Sequence, residues 1–417
     1  MIEEKWIKEN LAPGVSKGSN LPFFVLALAG VVAFVTGLTH GETIRAWGAL
    51  LVNFLFWTGI AMAGIVFAAI QQTTNAAWGR PIKRIAEGLG SFLPVSFIVF
   101  LVLFLGARHL YPWINEPIPA KAAWLNLPFM FIRDLAGVVL LFGLSYKFIY
   151  NSVRPDLGVI NEKKYFPLSS LAQGFIKNWR GSKEEIEKCH TANYKLAPVL
   201  ILAYTLVFTL LAFDLIMSIT PHWYSTLFGA YFFMSNIYLG LASIILVVVF
   251  LKDRIGLDKY VTIYTFHDIG KLLFAFVLLW TYFFYSQFLV IWYGNLPEET
   301  SFVIKRVYEK PWESVAWTLL FTNFIIPFLV LLSRSIKKKP KLLRIIASIV
   351  FCGMLTERYM LVFPSLWEGH EFPFGAIEFF MTIGFFSMFV LTYRKFMEHF
   401  PMMTITDPRF PTGGHHH

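Results

Sequence analysis

The chain has 417 residues, of which 56% are hydrophobic, 18% aromatic and only 15% charged. Soluble domains carry about 25% charged residues, so this composition, with a mean hydropathy of +0.59, excludes a soluble globular protein and a disordered one. The net charge of +10 is typical of basic loops at a membrane surface. We therefore expect lipid, and not nucleic acid, around this protein.

Ten apolar runs are long enough to cross a bilayer, which requires about 20 residues. They are spans one to ten, at about 21–38, 46–70, 89–107, 124–150, 196–219, 225–251, 264–293, 313–333, 345–363 and 373–393. The stretch 77–88 is predicted to be an amphipathic helix leading into span three. The stretch 152–195 is predicted to be either a surface helix or a plain loop.

The distribution of Lys and Arg predicts the orientation. The six segments on the N-terminal side of the spans carry 26 of the 36 basic residues, and the five opposite loops carry six. Both termini are therefore expected in the cytoplasm of a bacterial inner membrane protein. The polar N-terminus does not have the pattern of a signal peptide.

Two acidic residues suggest an internal duplication. Asp214 in span five and Glu357 in span nine each precede a proline, Pro221 and Pro364, by seven residues. We predict an all-α polytopic membrane protein with two four-helix bundles, spans two to five and spans six to nine, and two peripheral helices. The competing explanation is that spans five and nine resemble each other only because apolar helices share a composition. The predicted divisions are 1–20, 21–45, 46–219, 225–363 and 373–411, with 412–417 as a tag.

Charged residues inside spans are costly, at about 2.5–3.5 kcal/mol each on insertion scales, and are therefore functional candidates. Six are expected in the outer half of the bilayer: Arg133, Asp134, Asp214, Glu357, Arg358 and Glu378. They form either structural ion pairs, in which Arg133 or Asp134 pairs with residues of neighbouring helices, or a functional cluster. A second group, His267, Asp268 and Lys271, lies at the cytoplasmic end of span seven, as a proton site or as snorkelling side chains.

Redox cofactors of this chain itself are not expected. A transmembrane haem needs histidines at membrane depth on facing helices, and only His267 lies within a span. Two cysteines, Cys189 and Cys352, are too few for a four-cysteine metal or cluster site, and a disulfide between them is not expected. No metal site and no nucleotide-binding motif is predicted.

The run 266–300 carries a long motif, S-Q-F-L-x-I-W-Y-x-N-x-P-E-E at residues 286–299. With it, the chain resembles the membrane subunits of alternative complex III, in particular the ActF type, which is a close relative of the ActC type. These subunits belong to the NrfD/PsrC-like superfamily of quinone-interacting integral membrane proteins. The predicted arrangement, ten helices without haem ligands in paired four-helix bundles, also resembles that superfamily.

The resemblance implies a haem-free subunit of a quinol:cytochrome c oxidoreductase, without a covalently bound cofactor of its own. Its partners would be a periplasmic iron–sulfur/molybdopterin-like subunit, multihaem and monohaem cytochrome c subunits, and a second NrfD-like membrane subunit. Haem and iron–sulfur clusters would then lie only in partner subunits. A menaquinol or ubiquinol would be oxidised near the periplasmic face, and the ActF type is assigned a structural and proton-conducting role.

Two roles remain open within this reading. A proton path can use His267, Asp268 and Lys271 as its inner half, and Asp214, Glu357, Arg358 and Glu378 as its outer half. A quinol site needs a proton acceptor beside a hydrogen-bond donor, for which His109, Arg133, Asp134 and Gln287 are the candidates. A stand-alone secondary transporter is the alternative from another class.

Overall fold

The computed structural model describes residues 4–10, 18–369 and 371–410, and these residues form helices and no β-strand. Ten of the helices are long and apolar enough to cross a membrane, which confirms the predicted fold class. We label them α1 to α10: Leu21–Thr39, Thr43–Thr73, Arg80–Leu105, Leu127–Glu162, Ser182–Ile219, Phe228–Leu251, Ile263–Gly294, Trp312–Leu331, Pro340–Leu366 and Ala376–His399. The predicted tag at 412–417 lies outside the described residues.

Shorter elements connect the spanning helices. They are the helices Glu4–Asn10, Ala107–Leu110, Ser170–Phe175, Pro297–Val307 and Arg334–Lys337, and the 3₁₀ turns Pro112–Ile114, Pro119–Lys121 and Leu257–Lys259. Three spanning helices change their winding inside the bundle. A 3₁₀ turn at Gly90–Phe92 interrupts α3, a π segment at Ala212–Ile216 followed by the 3₁₀ turn Met217–Ile219 ends α5, and a π segment at Phe321–Ile325 lies within α8.

The packing of the helices repeats between the two halves of the chain. In the first half α2 packs on α3 and α5, and α4 packs on α5; in the second half α6 packs on α7 and α9, and α8 packs on α9. The halves meet through α2 and α6, and α2 also touches α9 as α6 touches α5. The apolar part of α2 is entirely buried, so α2 is a central helix of this packing.

The peripheral helices α1 and α10 pack chiefly on each other and on α2. Their crossing point is made of two glycines: a Cβ added to Gly30 would lie 2.8 Å from the Cα of Gly384. Small residues allow membrane helices to approach closely enough for dense van der Waals contact. Much of the remaining surface of α1 is exposed and apolar, including Leu21, Phe24 and Leu28, as expected for a helix that faces lipid.

Of the two predicted connections, the structure contains the first and differs from the prediction at the second. The stretch 77–88 contains the predicted amphipathic helix: Arg80–Leu89 is helical and continues through the 3₁₀ turn Gly90–Phe92 into the apolar part of α3, and all ten of its residues are buried. The stretch 152–195 is neither one surface helix nor a loop. Its ends extend α4 to Glu162 and start α5 at Ser182, with only the short helix Ser170–Phe175 between them.

The two ends of the bundle differ in charge. We call the end that carries residues 74–79, 163–181, 252–262 and 332–339 the basic face, and the other end the opposite face. The described part of the C-terminal segment, Phe400–Phe410, folds back over the basic face, where Phe410 contacts Tyr260 and Arg409 donates to the carbonyl of Asn75. Cys189 and Cys352 are both free thiols.

Candidate functional site

A pair of carboxyl groups lies in the first bundle, near the opposite face. Asp214, in the π segment of α5, accepts two hydrogen bonds from Arg133 of α4, at 2.6 and 2.7 Å, and one from the indole N–H of Trp124 at 3.0 Å. π segments often occur at functional sites in helices. Arg133 thus pairs with an acid of a neighbouring helix, which is the structural ion pair that the sequence left open.

The second member of this acid pair is Asp134. It is completely buried, and neither of its carboxyl oxygens has a donor among the described residues. It lies against Asp214, and two carboxyl groups can share a hydrogen bond only when one of them carries a proton. Because the guanidinium of Arg133 compensates one negative charge only, the acid pair is suited to hold and exchange a single proton.

A cavity of about 310 Å³ lies between the acid pair and the opposite face. Trp124 and Ser218 line it, and both contact Asp214, the indole at the carboxylate and the hydroxyl at the backbone carbonyl. The cavity holds many times the roughly 10–15 Å³ that one water needs. Water in this cavity could therefore carry a proton between the acid pair and the opposite face.

The second bundle has a related acidic site at Glu357 of α9. The carboxylate accepts hydrogen bonds from the hydroxyl of Tyr231 and from the indole N–H of Trp280, the latter at 2.7 Å, and is paired with Arg358 at 2.5 Å. Like Asp214, Glu357 thus receives one indole and one guanidinium. Here the charges balance, because one carboxylate faces one guanidinium.

Arg358 connects this site to the contact between the two bundles. Its guanidinium donates to Ser235 and to the side-chain oxygen of Asn236, both on α6, at 3.0 and 3.1 Å. Gly59 of α2 lies directly against this amide: a Cβ at that position would be 2.0 Å from the oxygen of Asn236. The glycine is therefore required for the close contact between α2 and α6.

A cavity of about 120 Å³ lies beside Glu357. Apart from Glu357, Tyr231, Gln287 and Arg306 its wall is almost entirely apolar and aromatic, and Phe284, which lines it, is 42% exposed at the surface of the bundle. The volume is similar to the engineered cavity of about 150 Å³ that accepts a benzene ring. The cavity therefore has the size and the lining for a ring with a few polar substituents.

The helix Pro297–Val307 covers this cavity. Pro364 has no N–H, which leaves the carbonyl of Met360 without its helical partner. Arg306 donates to this carbonyl at 3.2 Å, and also to the carbonyl of Leu361 and the hydroxyl of Ser365. Burial lowers the pKa of Arg306 to about 9, since its described partners are neutral.

Glu378 belongs to neither acidic site. It lies in the first turn of α10, accepts a bidentate pair of hydrogen bonds from Arg45 at 2.7 and 2.8 Å, and accepts another from the backbone of Gly375. These bonds cap α10 and tie it to α2. The six charges predicted for one outer cluster thus form three separate groups.

An extensive cluster of buried charges lies at the basic face of the first bundle. We call it the ionic cluster; its members are Arg80, Lys83, Arg84 and Glu87 of α3, Asp156 of α4 and Asp407 of the C-terminal segment. Side chains of Arg, Lys, Asp and Glu are almost never fully buried unless they are paired. Arg84 pairs with Asp156 at 2.6 Å and with Glu87 at 3.0 Å.

The C-terminal segment completes this cluster. Asp407 pairs with Arg80 at 2.8 Å and with Lys83 at 3.6 Å, while Asp156 accepts hydrogen bonds from Ile405 and Thr406. Burial opposes ionisation of Asp407, but the positive charges of Lys83 and Arg80 outweigh it, so the pKa of Asp407 lies below its usual value. The ionised Asp407 therefore holds the segment in place.

A chain of polar groups leads from the ionic cluster to the surface. Lys83 donates to Gln72 at 3.1 Å, and Gln72 contacts His190 of α5 at 3.3 Å. His190 lines both a buried cavity of about 30 Å³ next to Lys83 and Asp407 and a surface cavity of about 430 Å³. Water can thus approach the cluster from the basic face.

The group predicted at the start of α7 lies near the surface. Lys271 pairs with Asp268 at 2.7 Å, and His267 lies 3.9 Å from Asp268. The side chain of Lys271 is 56% exposed. None of the three is completely enclosed, which separates them from the ionic cluster.

The predicted quinol-site residues are divided between the bundles. Arg133 and Asp134 lie at the acid pair, whereas His109 is exposed on the short helix Ala107–Leu110. Gln287 lies on α7, accepts a hydrogen bond from Ser225 at 3.3 Å and lines the cavity beside Glu357.

The ionic cluster was missed at the level of the sequence, although a signal was present. Arg80, Lys83, Arg84 and Glu87 are spaced so that they share one helical face. The sequence predicts an amphipathic helix here, but it does not indicate which groups this face meets. Asp407 gave no such signal, and neither did Tyr231 and Trp280 among the many aromatic residues.

Comparison with known families gives one match. The family model described as Polysulphide reductase, NrfD matches residues 37–367, which is well over half of the chain and includes both bundles. A search of curated proteins found no match.

Proposed function

Since the chain belongs to the polysulphide reductase NrfD family, we propose that it is a haem-free membrane subunit of a quinol:electron-acceptor oxidoreductase of the alternative complex III type. The family indicates a quinone-interacting membrane subunit that partners with iron–sulfur or molybdopterin-type subunits. Within such a complex, this chain conducts protons and supports quinol oxidation. Multihaem and monohaem cytochrome c subunits and a second NrfD-like subunit complete the proposed assembly.

One observation carries the proton-conducting role. The first bundle holds titratable groups at both ends, the acid pair near the opposite face and the ionic cluster at the basic face. The acid pair lies next to a cavity on the side of the opposite face, and the ionic cluster lies next to a small cavity that shares His190 with a surface cavity at the basic face. By the positive-inside rule, the basic face is cytoplasmic and the acid pair lies toward the periplasm.

The middle of the proposed route is polar but uncharged. Asp134 and Ser152 are both on α4, about 27 Å apart at 1.5 Å per residue. Ser145, between them on α4, is buried, and the first bundle also holds Thr58 of α2 and Ser96 of α3, two buried hydroxyls with no partner among the described residues. Hydroxyls of this kind carry protons only when internal water connects them, so conduction depends on hydration of the bundle.

The test uses the complete complex in liposomes, with proton release and electron transfer measured together. Asp134→Asn and Glu87→Gln each remove one end of the route, and we expect proton release per electron to fall in both. Glu116→Gln changes an exposed acid on the opposite face and serves as the control. Unchanged proton release in Asp134→Asn and Glu87→Gln would refute the route through the first bundle.

An inner half at the start of α7 is the competing route. Asp268→Asn distinguishes the two, because it breaks the pair with Lys271 but leaves the ionic cluster intact. A loss of proton release in Asp268→Asn, with none in Glu87→Gln, would move the route to the second bundle.

A second candidate function is quinol binding by this chain itself, favoured by the cavity beside Glu357. The carboxylate can accept a hydrogen bond from a ring hydroxyl, and the Gln287 amide can donate one to a ring oxygen. Phe284, at the exposed side of the cavity, marks the way by which a lipid-soluble tail would leave.

Filling this cavity tests the second function. Ala316 lines it, so Ala316→Trp should raise the apparent KM for quinol by more than tenfold if quinol binds there. Leu202→Trp, at a position that is 61% exposed on α5, adds the same side chain outside the cavity and should leave KM unchanged. An unchanged KM in Ala316→Trp would exclude this cavity as the quinol site.

A further inference from the structure

A wide groove lies between α6 and α10 at the basic face, away from both acidic sites. Its volume is about 590 Å³. It exists because α10 packs on α1 and α2 and makes little contact with α6. Its lining contains no member of the acid pair, of the site at Glu357 or of the ionic cluster.

The wall of the groove is apolar below and basic above. Leu246, Val247 and Phe250 of α6 face Phe386, Phe389 and Val390 of α10 along its length. Arg254, just after α6, and Arg394, in the last turns of α10, line its end at the basic face. The groove therefore combines a lipid-like interior with two guanidinium groups at the level of the membrane surface.

The two arginines are held in different ways. Arg394 donates to the carbonyls of Gly18 and Ser19, which fixes it at the start of α1. Arg254 is exposed, its guanidinium lies 3.8 Å from the ring centre of Phe250, and it forms no ion pair within the described residues. An arginine placed on an aromatic ring keeps its N–H groups available for a phosphate.

The length of the groove argues against a protein helix as its occupant. From Arg394 to Phe386 the helix rises by about 12 Å, which is less than one leaflet of a hydrocarbon core of about 30 Å. Contacts between spanning helices are enriched in small residues, which allow close approach of the backbones. The groove instead contains bulky aromatic residues and ends at the arginines.

We propose that this groove binds one anionic phospholipid, with the phosphate between Arg254 and Arg394 and an acyl chain between α6 and α10. Basic pockets between membrane helices on the cytoplasmic side suit anionic headgroups. The lipid would fill the gap between the second bundle and the peripheral helices, and so hold α10 against α6. This inference does not depend on the redox function.

The test is native mass spectrometry of the purified full-length protein together with whatever partners accompany it. After delipidation, phosphatidylglycerol and, separately, phosphatidylcholine with the same acyl chains are added. We expect one phosphatidylglycerol to bind per chain, more tightly than phosphatidylcholine. Removal of one surface arginine should weaken anionic binding by about fivefold.

Two variants address the two parts of the site. Arg254→Gln removes an exposed charge and should lower phosphatidylglycerol affinity alone, with Arg334→Gln, an exposed arginine elsewhere on the basic face, as its control. Val247→Trp fills the groove without a change of charge and should weaken both lipids. Val199→Trp, at a position 52% exposed on α5, is the control for added volume.

Three results would overturn the proposal. Equal affinity for the two lipids would exclude the role of the arginines, and wild-type phosphatidylglycerol affinity in both Arg254→Gln and Val247→Trp would exclude the groove. A photoreactive side chain at Phe386 that crosslinks to a protein instead of a lipid would show that a partner helix occupies it.

Discussion

The acid pair makes a sharp prediction about which of its two carboxyl groups supports the fold. Asp214 has three donors, two of them from Arg133, whereas the oxygens of Asp134 have none within the described residues. If Asp134 holds the proton that the pair shares, it contributes no charge to the site. Replacing it by Asn should then preserve the packing and supply Asp214 with an amide donor.

The expected magnitudes follow from these contacts. Asp214→Asn leaves the guanidinium of Arg133, whose side chain is 10% exposed, without its counter-charge, and breaking a largely buried pair in this way costs about 3–5 kcal/mol. Asp134→Asn exchanges one neutral buried group for another of the same shape, so the free energy of unfolding should change by less than about 1 kcal/mol. The two isosteric variants should therefore differ by at least about 2 kcal/mol.

The assay is unfolding of the purified protein in mixed micelles by increasing amounts of SDS, followed by tryptophan fluorescence. Arg133→Gln combined with Asp214→Asn completes a double-mutant cycle. Because this combination removes both charges, it should recover much of the stability lost in Asp214→Asn alone. An equal loss in Asp134→Asn and Asp214→Asn would refute the reasoning, since it would mean that both carboxyl groups are ionised and paired.

Three further predictions concern the supporting contacts. Gly59→Ala should lower the free energy of unfolding by about 1–3 kcal/mol through the clash with Asn236, whereas Gly143→Ala, which has open space around it, should be neutral or stabilising in the same assay. Asp407→Asn should release the C-terminal segment and make it sensitive to protease at neutral pH. The wild-type segment should stay docked until the pH falls below about 4, because the stability contributed by an acid of lowered pKa is lost only as pH falls through that pKa. Arg306→Met should speed amide exchange in the helix Pro297–Val307, and unchanged exchange would show that its carbonyl contacts do not hold the helix.

The spanning helices could be predicted from the sequence because crossing a lipid bilayer requires long apolar runs, whichever other helices they contact. The acid-to-proline spacing at Asp214 and Glu357 likewise indicated related helices, and the structure gives both acids an indole and a guanidinium. The ends of the helices were less predictable. The amphipathic helix at 77–88 could be predicted but the partners of its polar face could not, because a polar helical face has the same pattern whether it meets water or other charged residues.

The pairing of the charges could not be predicted for a related reason. Spacing along one helix fixes which residues share a face, but not which helix that face meets. Arg133 and Arg358 illustrate this: each is a neighbour in sequence of an acid, yet Arg133 pairs with Asp214 on another helix and Arg358 pairs with adjacent Glu357. The contribution of Asp407 depends on a fold-back of the C-terminal segment that local sequence does not encode.

The two acidic sites thus use the same helical framework with different charge balance. At Glu357 one carboxylate faces one guanidinium, and both are held by further donors and acceptors, so loss of a proton or gain of one would leave a buried charge unpaired. At the acid pair two carboxyl groups face one guanidinium, and a bound proton is what balances the site. Two bundles with the same helix packing can in this way provide one fixed ion pair beside a ring-sized cavity and one site that is suited to change its protonation. This difference is why we assign proton exchange to the first bundle, and it predicts that Glu357→Gln, unlike Asp134→Asn, destabilises the fold by several kcal/mol.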